Sequence, residues 1–251
     1  MPEVLQQPSS TRRLLPGSQK ERMPPAPRRL IDVDKMQLVE HDGEGKVYIA
    51  LSHRWSKKER KAVDIFWSGG PSKDIDFRLL PIKFQNAATV TRRLGIQYLW
   101  IDGICINQDK TDVAEEEMRE ECSRMELIFC SAFCVIAILS EPDSANGFLS
   151  QRGTEGIPFN LPDGTEEPSL EIVNKSVDFS RDVLEAEWNT RGWTFQERAL
   201  ACHTIYFTKS QAYWECEELT VCESQKHPVT YVLHLAGLLS PWYCPTNTLL
   251  V

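Results

Sequence analysis

The sequence lacks the features that would place it in a membrane or on nucleic acid. It has no run of about 18 apolar residues, the length that a bilayer-spanning helix requires. Its acidic residues outnumber its basic ones, 36 to 28, and the formal net charge is −8. Nonspecific binding to nucleic acid requires a basic face instead. We therefore expect neither a membrane span nor a nucleic-acid partner.

Several motifs of well-known chemistry are also missing. There is no Gly-x-Gly-x-x-Gly fingerprint and no P-loop, so neither a dehydrogenase nor a nucleoside triphosphatase is indicated. Ser52 does not lie in the Gly-x-Ser-x-Gly turn of α/β hydrolases, so we do not expect it to be a nucleophile. The five histidines are scattered and show no zinc-ligand spacing. We expect neither a metal nor a bound cofactor.

The cysteines point to a reducing compartment. There are eight, none of them in a Cys-x-x-Cys pair, and several lie within apolar runs. No signal-peptide pattern is recognised ahead of them. Buried free thiols explain this usage better than a disulfide framework. We therefore expect a soluble protein of the cytoplasm.

The strongest pattern present is residues 98–108, Tyr-Leu-Trp-Ile-Asp-Gly-Ile-Cys-Ile-Asn-Gln. Its apolar run is broken by one acid, Asp102, which is followed by the turn residue Gly103. Such a run between two helical patterns predicts a central strand that is covered on both faces. Asp102 would then lie where the strand ends, which is where open α/β sheets place their ligand sites.

The segments around this strand predict an α/β fold. Residues 47–52 are an apolar strand that ends abruptly in polar residues, and residues 133–139 are another fully apolar strand. A helix is predicted over residues 81–95, and a second one starts at Asp112 with a capping-box variant. Residues 56–79 are predicted to be a loop. Strand, helix, strand, helix and strand in this order indicate right-handed βαβ units and a parallel sheet.

The chain divides into three predicted parts. Residues 1–29 are rich in proline and poor in large apolar side chains, so we expect a disordered tail. One domain covers residues 30–217, and residues 218–251 form an extension of unknown structure. Within and around the domain we predict an entry hairpin (29–33 and 36–40), a long irregular insertion (141–187), a helix (188–200) and a pair of strands (203–208 and 212–216). Five glutamates of the second helix, at positions 115, 116, 117, 120 and 121, are predicted to be solvated surface.

Three motifs resemble the fungal heterokaryon incompatibility (HET) domain. They are residues 48–55 (Tyr-Ile-Ala-Leu-Ser-His-Arg-Trp), 98–108 and 191–198 (Arg-Gly-Trp-Thr-Phe-Gln-Glu-Arg), with Leu-Pro-Ile-Lys-Phe-Gln-Asn-Ala at 80–87 between the first two. Three separate motifs in order make a chance match improbable. The resemblance covers residues 30–217 and implies a role in non-self recognition and programmed cell death, a form of fungal innate immunity.

A more distant resemblance is to Toll/interleukin-receptor (TIR) domains, which have a flavodoxin-like fold and of which some members hydrolyse NAD. The end of the first strand at Ser52 to Arg54 is similar to the end of the first TIR strand. The spacing of Trp193 and Glu197 is similar to the TIR helix that carries a tryptophan and, four residues later, the catalytic glutamate. This resemblance implies a flavodoxin-like/TIR-like parallel sheet with helices on both faces, here with an N-terminal hairpin and a C-terminal strand pair.

The same resemblance implies a site that cleaves the nicotinamide–ribose bond of NAD, which would be a substrate and not a cofactor. Residues four apart share one face of a helix, so Glu197 would supply the catalytic carboxylate and Trp193 would stack on the nicotinamide. Arg54 would pair with the pyrophosphate, and Asp102 would accept a ribose hydroxyl or hold Arg54. Ser52 and Trp55 would line the crevice with them.

Each assignment has a structural alternative. Glu197 lies near Arg191 and Arg198 in sequence and could form an ion pair with either. Tryptophans such as Trp193 are more often core than stacking platforms, and Arg54 and Asp102 could form a buried pair that fixes the sheet.

Two functions therefore remain open. One is a NAD glycohydrolase effector, and the other is a non-enzymatic module that associates with itself or with an upstream receptor.

Overall fold

The structure is a computed structural model that describes most of the predicted domain. The described residues are 27–41, 45–68, 74–139, 147–149, 156–159, 170–173, 178–190 and 192–224. The backbone alone is described for 156–159 and 170–173 and for residues 192, 193, 195 and 196. Most of the predicted disordered tail and of the predicted C-terminal extension lies outside the described residues.

The core of the protein is a mixed eight-stranded sheet in the order β10-β9-β8-β5-β3-β4-β1-β2. Its strands are β1 (Arg29–Asp32), β2 (Gln37–Glu40), β3 (Tyr48–Ser52), β4 (Tyr98–Trp100), β5 (Cys134–Ile138), β8 (His203–Phe207), β9 (Ala212–Cys216) and β10 (Thr220–Cys222). The four inner strands β8, β5, β3 and β4 are mutually parallel. A separate antiparallel pair, β6 (Gly156–Phe159) and β7 (Leu170–Val173), lies within the predicted insertion.

Helices occupy the connections between the parallel strands. They are α1 (Lys57–Trp67), α2 (Ile82–Arg93), α3 (Asp102–Cys105), α4 (Asp112–Ser123), α5 (Met125–Ser131) and α6 (Gly192–Leu200). Shorter turns of 3-10 helix cover Phe77–Leu79 and Glu187–Thr190, and a π-helical turn covers Ser180–Leu184. None of the helices in the described part of the chain is both long and apolar enough to cross a membrane.

The predicted α/β class is confirmed: a sheet with parallel strands is combined with helices. The entry hairpin is also confirmed, because β1 and β2 pair antiparallel at the sheet edge. Residues 98–108 form a strand of only three residues, and their second apolar run is the helical turn α3. Leu99, Trp100 and Ile101 are completely buried, as expected for a covered strand. Asp102 follows at the end of the strand, as predicted.

The prediction that residues 56–79 form a loop is wrong, because α1 occupies most of the first half. Ser56 caps this helix, and Glu59 completes the capping box by accepting from the backbone N–H of Ser56. The buried side chains are Glu59, Val63 and Trp67, at intervals of four residues. Charged residues fill most of the remaining positions of the first two turns, so the sequence looks like a polar loop.

The second helical segment differs from its prediction in two ways. Its cap is Thr111, which accepts from the backbone of Ala114, and the helix breaks at Arg124 into α4 and α5. Two of the five glutamates that were predicted to be solvated, Glu117 and Glu121, are buried. A third correction concerns residues 188–200, which form a 3-10 turn followed by α6 and not one helix.

Glu117 is buried because it pairs with an arginine of the first strand. Both carboxylate oxygens of Glu117 bind the Arg29 guanidinium, with Nη2 to Oε2 at 2.7 Å. Arg29 also donates to the carbonyl of Cys105 at 3.2 Å, and the backbone of Asn107 donates to Glu117. Burial raises the pKa of Glu117, but the hydrogen bonds and charge of Arg29 outweigh it, so the pKa is lowered. The pair therefore joins three elements, which are β1, the segment after β4, and α4.

Replacing Glu117 with Gln is expected to lower the free energy of unfolding at pH 7 by about 3–5 kcal/mol, because it leaves the Arg29 charge buried without its partner. The native pKa of Glu117 lies below its unfolded value of about 4.3. The advantage of the wild type is therefore complete above that pH and is lost as the pH falls through the native pKa.

Urea unfolding at several pH values measures this difference. The neighbouring Glu116→Gln is the control, because Glu116 is exposed and pairs with Arg119 on the surface. An equal effect of both substitutions, or a difference that does not vary with pH, would contradict the role given to Glu117.

Candidate functional site

The carboxyl ends of β3 and β5 form the point where the chain changes direction across the sheet. From β3 the chain crosses to β4 on one side, and from β4 it returns past β3 to β5 on the other. With right-handed crossovers the two connections lie on opposite faces of the sheet. Ligands of open α/β sheets bind in the crevice at such a switch point.

A cleft of about 310 Å³ opens at this place. Arg54 follows β3, Ile138 and Leu139 end β5, and residues 208–210 follow β8. The other wall comes from the π-helical turn and the segment after it. The lining residues are Arg54, Ile138, Leu139, Arg181, Asp182, Ala186, Glu187, Trp188, Thr208, Lys209 and Ser210. The volume is within the range of small-molecule sites.

Ser52, the last residue of β3, connects this cleft with Glu197. Its buried hydroxyl accepts from the indole Nε1 of Trp188 at 3.1 Å and donates to Oε2 of Glu197. Trp188 forms part of the cleft wall, whereas Ser52 and Glu197 do not line the cleft themselves. The Glu197 carboxylate, which is partly exposed, is therefore separated from the cleft wall by one hydroxyl group.

Arg54 lies in the cleft and forms an ion pair across it. Its Nη1 lies 2.7 Å from Oε2 of Glu187, and the two side chains are 39% and 74% exposed. The alternative that Arg54 and Asp102 form a buried pair is thus wrong. The expected function of Arg54, binding of a pyrophosphate, agrees with its place in the cleft but stays a prediction.

Asp102 and Trp55 form a second, separate pair at the end of β4. The indole Nε1 of Trp55 donates to Oδ2 of Asp102 at 3.0 Å, and the backbone of Gly103 donates to Oδ1. The Trp55 ring packs closely on Gly103: a β-carbon there would lie 2.2 Å from Cη2 of the indole. Trp55 also contacts the rings of His53 and Phe84. Neither Asp102 nor Trp55 lines the cleft that contains Arg54.

A buried ion pair supports the segment that carries Arg54. Lys83 and Glu59 are almost completely buried, with Nζ and Oε1 3.1 Å apart. The other oxygen of Glu59 accepts from the Ser56 backbone, and Lys83 Nζ also lies 3.5 Å from the carbonyl of Arg54. Residues 53–56 are therefore held between α1 and α2.

The structure brings the predicted site residues together only in part. Ser52 and Glu197 are in contact, and Arg54 lies in the adjoining cleft. Asp102 and Trp55 bind each other elsewhere along the same sheet edge. The side chain of Trp193 lies outside the described residues. Glu197 does not pair with Arg198, which binds Glu215 instead, and Arg191 is likewise outside the description.

Sequence reasoning missed the residues that line the far wall of the cleft. Trp188 was assigned only to a helix, while Glu187, Arg181 and Lys209 were not considered. Arg181 and Glu187 lie within the predicted irregular insertion and Trp188 follows it, and such a segment carries no periodic signal. Two weak signals were available: a tryptophan in a polar stretch, and a basic residue, Lys209, directly after a predicted strand.

An open α/β sheet with a cleft at its switch point defines the class of this protein. The particular family follows from sequence comparison: the family model described as heterokaryon incompatibility protein (HET) matches residues 48–197. This range covers more than half of the chain, and the chain therefore belongs to the HET family. Searches of curated proteins and of solved structures gave no match. The family relates the function of the chain to heterokaryon incompatibility.

The Lys83–Glu59 pair yields a prediction about the segment that carries Arg54. Lys83→Met is expected to lower the free energy of unfolding by about 3–5 kcal/mol, because it leaves the Glu59 carboxylate buried without a counter-charge. The double variant Lys83→Met/Glu59→Gln should recover part of this loss, since a Gln keeps the cap but carries no charge. Urea unfolding of the three proteins and the wild type gives the comparison. A double variant less stable than Lys83→Met would contradict this account.

Proposed function

We propose that this HET-family protein is an effector of non-self recognition and programmed cell death, and that it cleaves the nicotinamide–ribose bond of NAD. The observation that carries the proposal is the contact between Ser52 and Glu197 beside the cleft. It brings the carboxylate to the end of a central parallel strand, as the resemblance to TIR domains implies. The proposed activity needs no metal and no bound cofactor.

The strand order supports the likeness to flavodoxin-like and TIR folds. Numbered along the chain, the parallel strands β3, β4, β5 and β8 lie in the order 2-1-3-4. This is the beginning of the flavodoxin-like order 2-1-3-4-5. The strand beyond them, β9, is antiparallel, so the sheet departs from the fully parallel pattern.

The proposed reaction requires little of the protein. The bond between C1′ of the ribose and the pyridinium nitrogen breaks, and its electron pair neutralises the departing nicotinamide. A water oxygen then bonds to C1′ and loses a proton, which gives ADP-ribose. Glu197 stabilises the positive charge that develops on the ribose, as carboxylates do in glycosidases. No acid is needed, because the leaving group is already a cation.

Ser52 and Trp188 have positioning roles in this proposal. The Ser52 hydroxyl fixes the carboxylate of Glu197, and the Trp188 indole fixes the hydroxyl. Trp188 is almost completely buried but also lines the cleft, where sequence reasoning placed Trp193. An aromatic side chain at this place can pack against the base or the ribose of a nucleotide.

Glu197→Gln is expected to lower kcat for nicotinamide release from NAD by at least about 100-fold, because it removes the negative charge that favours the transition state. The measurement is the release of nicotinamide by purified protein, made over a range of protein concentrations because TIR-like activity can require assembly.

Glu215→Gln is the matched control for Glu197→Gln. Glu215 is also a half-buried carboxylate that accepts from a hydroxyl, that of Tyr206, but it lies opposite Thr204 near the start of β8. The Glu215→Gln protein should retain nicotinamide release. Circular dichroism checks that this variant is folded. Equal release by wild type and Glu197→Gln would reject the catalytic role.

The alternative is a non-enzymatic signalling module of the same pathway that associates with itself or with a receptor. The exposed face of α4 favours it: Glu115, Glu116 and Glu120 are exposed there, and Val113 is 78% exposed. In this case Glu197→Gln leaves toxicity in cells intact, and the double reversal Glu115→Lys/Glu120→Lys abolishes it. The opposite pattern rejects the alternative. Glu117 and Glu121 are not suitable for this test, because they are buried.

A further inference from the structure

We propose that the cleft binds the diphosphate group of a nucleotide through Arg181 and Lys209 together with Arg54, and that Glu187 competes with this group for Arg54. Arg181, Lys209 and Glu187 have no role in the proposed bond cleavage. The inference rests on the proposed function only in the identity of the nucleotide as NAD. Binding of a diphosphate to the cleft can be tested whether or not NAD is cleaved.

The charge of the cleft favours an anionic ligand. Three cationic side chains line it, against the two carboxylates of Asp182 and Glu187. The part of the lining that the structure describes thus has an excess of one positive charge, in a chain whose net charge is −8. Guanidinium groups bind phosphate oxygens through paired hydrogen bonds, and an ammonium group adds a point charge. A diphosphate is the group in a nucleotide that can bind cations on two walls at once.

The far wall is held in place by a network around Asp182. Its Oδ1 accepts from Nε and Nη2 of Arg181 at 3.2 and 3.1 Å, and its Oδ2 accepts from the hydroxyls of Tyr213 and Ser210. The side chain of Asp182 is only 9% exposed, whereas that of Arg181 is 55% exposed. The anchor is therefore buried, and the guanidinium that it orients is accessible to a ligand. Lys209 lies in the turn next to Ser210.

The local backbone agrees with a binding role. Arg181 and Asp182 belong to the π-helical turn Ser180–Leu184. Single π-helical turns are rare and are frequent at functional sites. Here the turn places two consecutive side chains at the cleft, and the buried Val183 fixes it to the core.

Glu187 occupies the position that a phosphate oxygen would take on Arg54. A carboxylate oxygen 2.7 Å from the guanidinium has the geometry of a charge-assisted hydrogen bond. The Glu187 side chain is 74% exposed, so its displacement exposes little additional surface. The diphosphate group as a whole carries more negative charge than a carboxylate and therefore replaces it on Arg54 once the diphosphate is held by the opposite wall.

Isothermal titration of the full chain with ADP, and with adenosine as the uncharged probe, tests the proposal. ADP is expected to bind at least about tenfold more tightly than adenosine, and its affinity should fall as the salt concentration rises. Arg181→Gln and Lys209→Gln are each expected to weaken ADP binding by about tenfold and to leave adenosine unaffected. Glu187→Gln should instead strengthen ADP binding, because it removes the competitor.

The matched controls lie on α4. Arg119 and Glu116 are an exposed arginine and glutamate in a local ion pair, with 71% and 60% exposure, far from the cleft along the chain. Arg119→Gln and Glu116→Gln should leave ADP binding unchanged. Equal affinity for ADP and adenosine, no loss with Arg181→Gln, or weaker binding with Glu187→Gln would each overturn the proposal.

One further variant separates this proposal from the proposed function. Glu197→Gln should bind ADP as tightly as the wild type, because Glu197 does not line the cleft. Normal ADP binding by a wild-type protein that releases no nicotinamide would retain the diphosphate site and reject the hydrolase. Conversely, nicotinamide release by a protein whose ADP affinity does not depend on Arg181 would retain the hydrolase and reject the diphosphate site.

Discussion

The direction in which the chain leaves two neighbouring parallel strands determines where the cleft of this protein opens. With right-handed crossovers the connections after β3 and β5 leave the sheet on opposite faces, which opens a crevice between the two strand ends. Ser52 lies at one of these ends and Leu139 follows the other. Of the groups discussed for binding or catalysis, four lie within two residues of a strand end, namely Ser52, Arg54, Asp102 and Lys209.

Buried charge is the second constraint. Arg29 with Glu117, and Lys83 with Glu59, are taken out of water in pairs. Such pairs add little net stability compared with apolar packing, but they fix orientation because each partner depends on the other. One pair fastens the edge hairpin to α4, and the other fastens the segment that carries Arg54. The protein thus uses ion pairs to position segments whose apolar content is low.

The sequence predicted the apolar parts of the fold well. Continuous apolar runs correctly predicted β3 and β5, and the spacing of apolar residues after Pro81 correctly predicted α2. This helix ends just before Gly95, whose φ of 72° lies in the left-handed region that favours glycine. The failures share one cause, because α1 and the buried face of α4 contain charged residues that hydrophobic periodicity counts as surface. Such a charged residue can be buried in the core only because it pairs with an oppositely charged residue that is distant along the chain. The same applies to the cleft. Glu187 and Lys209 can be recognised as cleft residues only once their position beside the same cleft as Arg54 is known.

The contact between Trp55 and Gly103 limits how this part of the protein can vary. A β-carbon at position 103 would collide with the far edge of the indole and displace its N–H from Asp102. Position 55 can therefore hold a large ring only while position 103 has no side chain. Relatives that differ at one of these positions should differ at the other, although the two lie in separate segments of the chain.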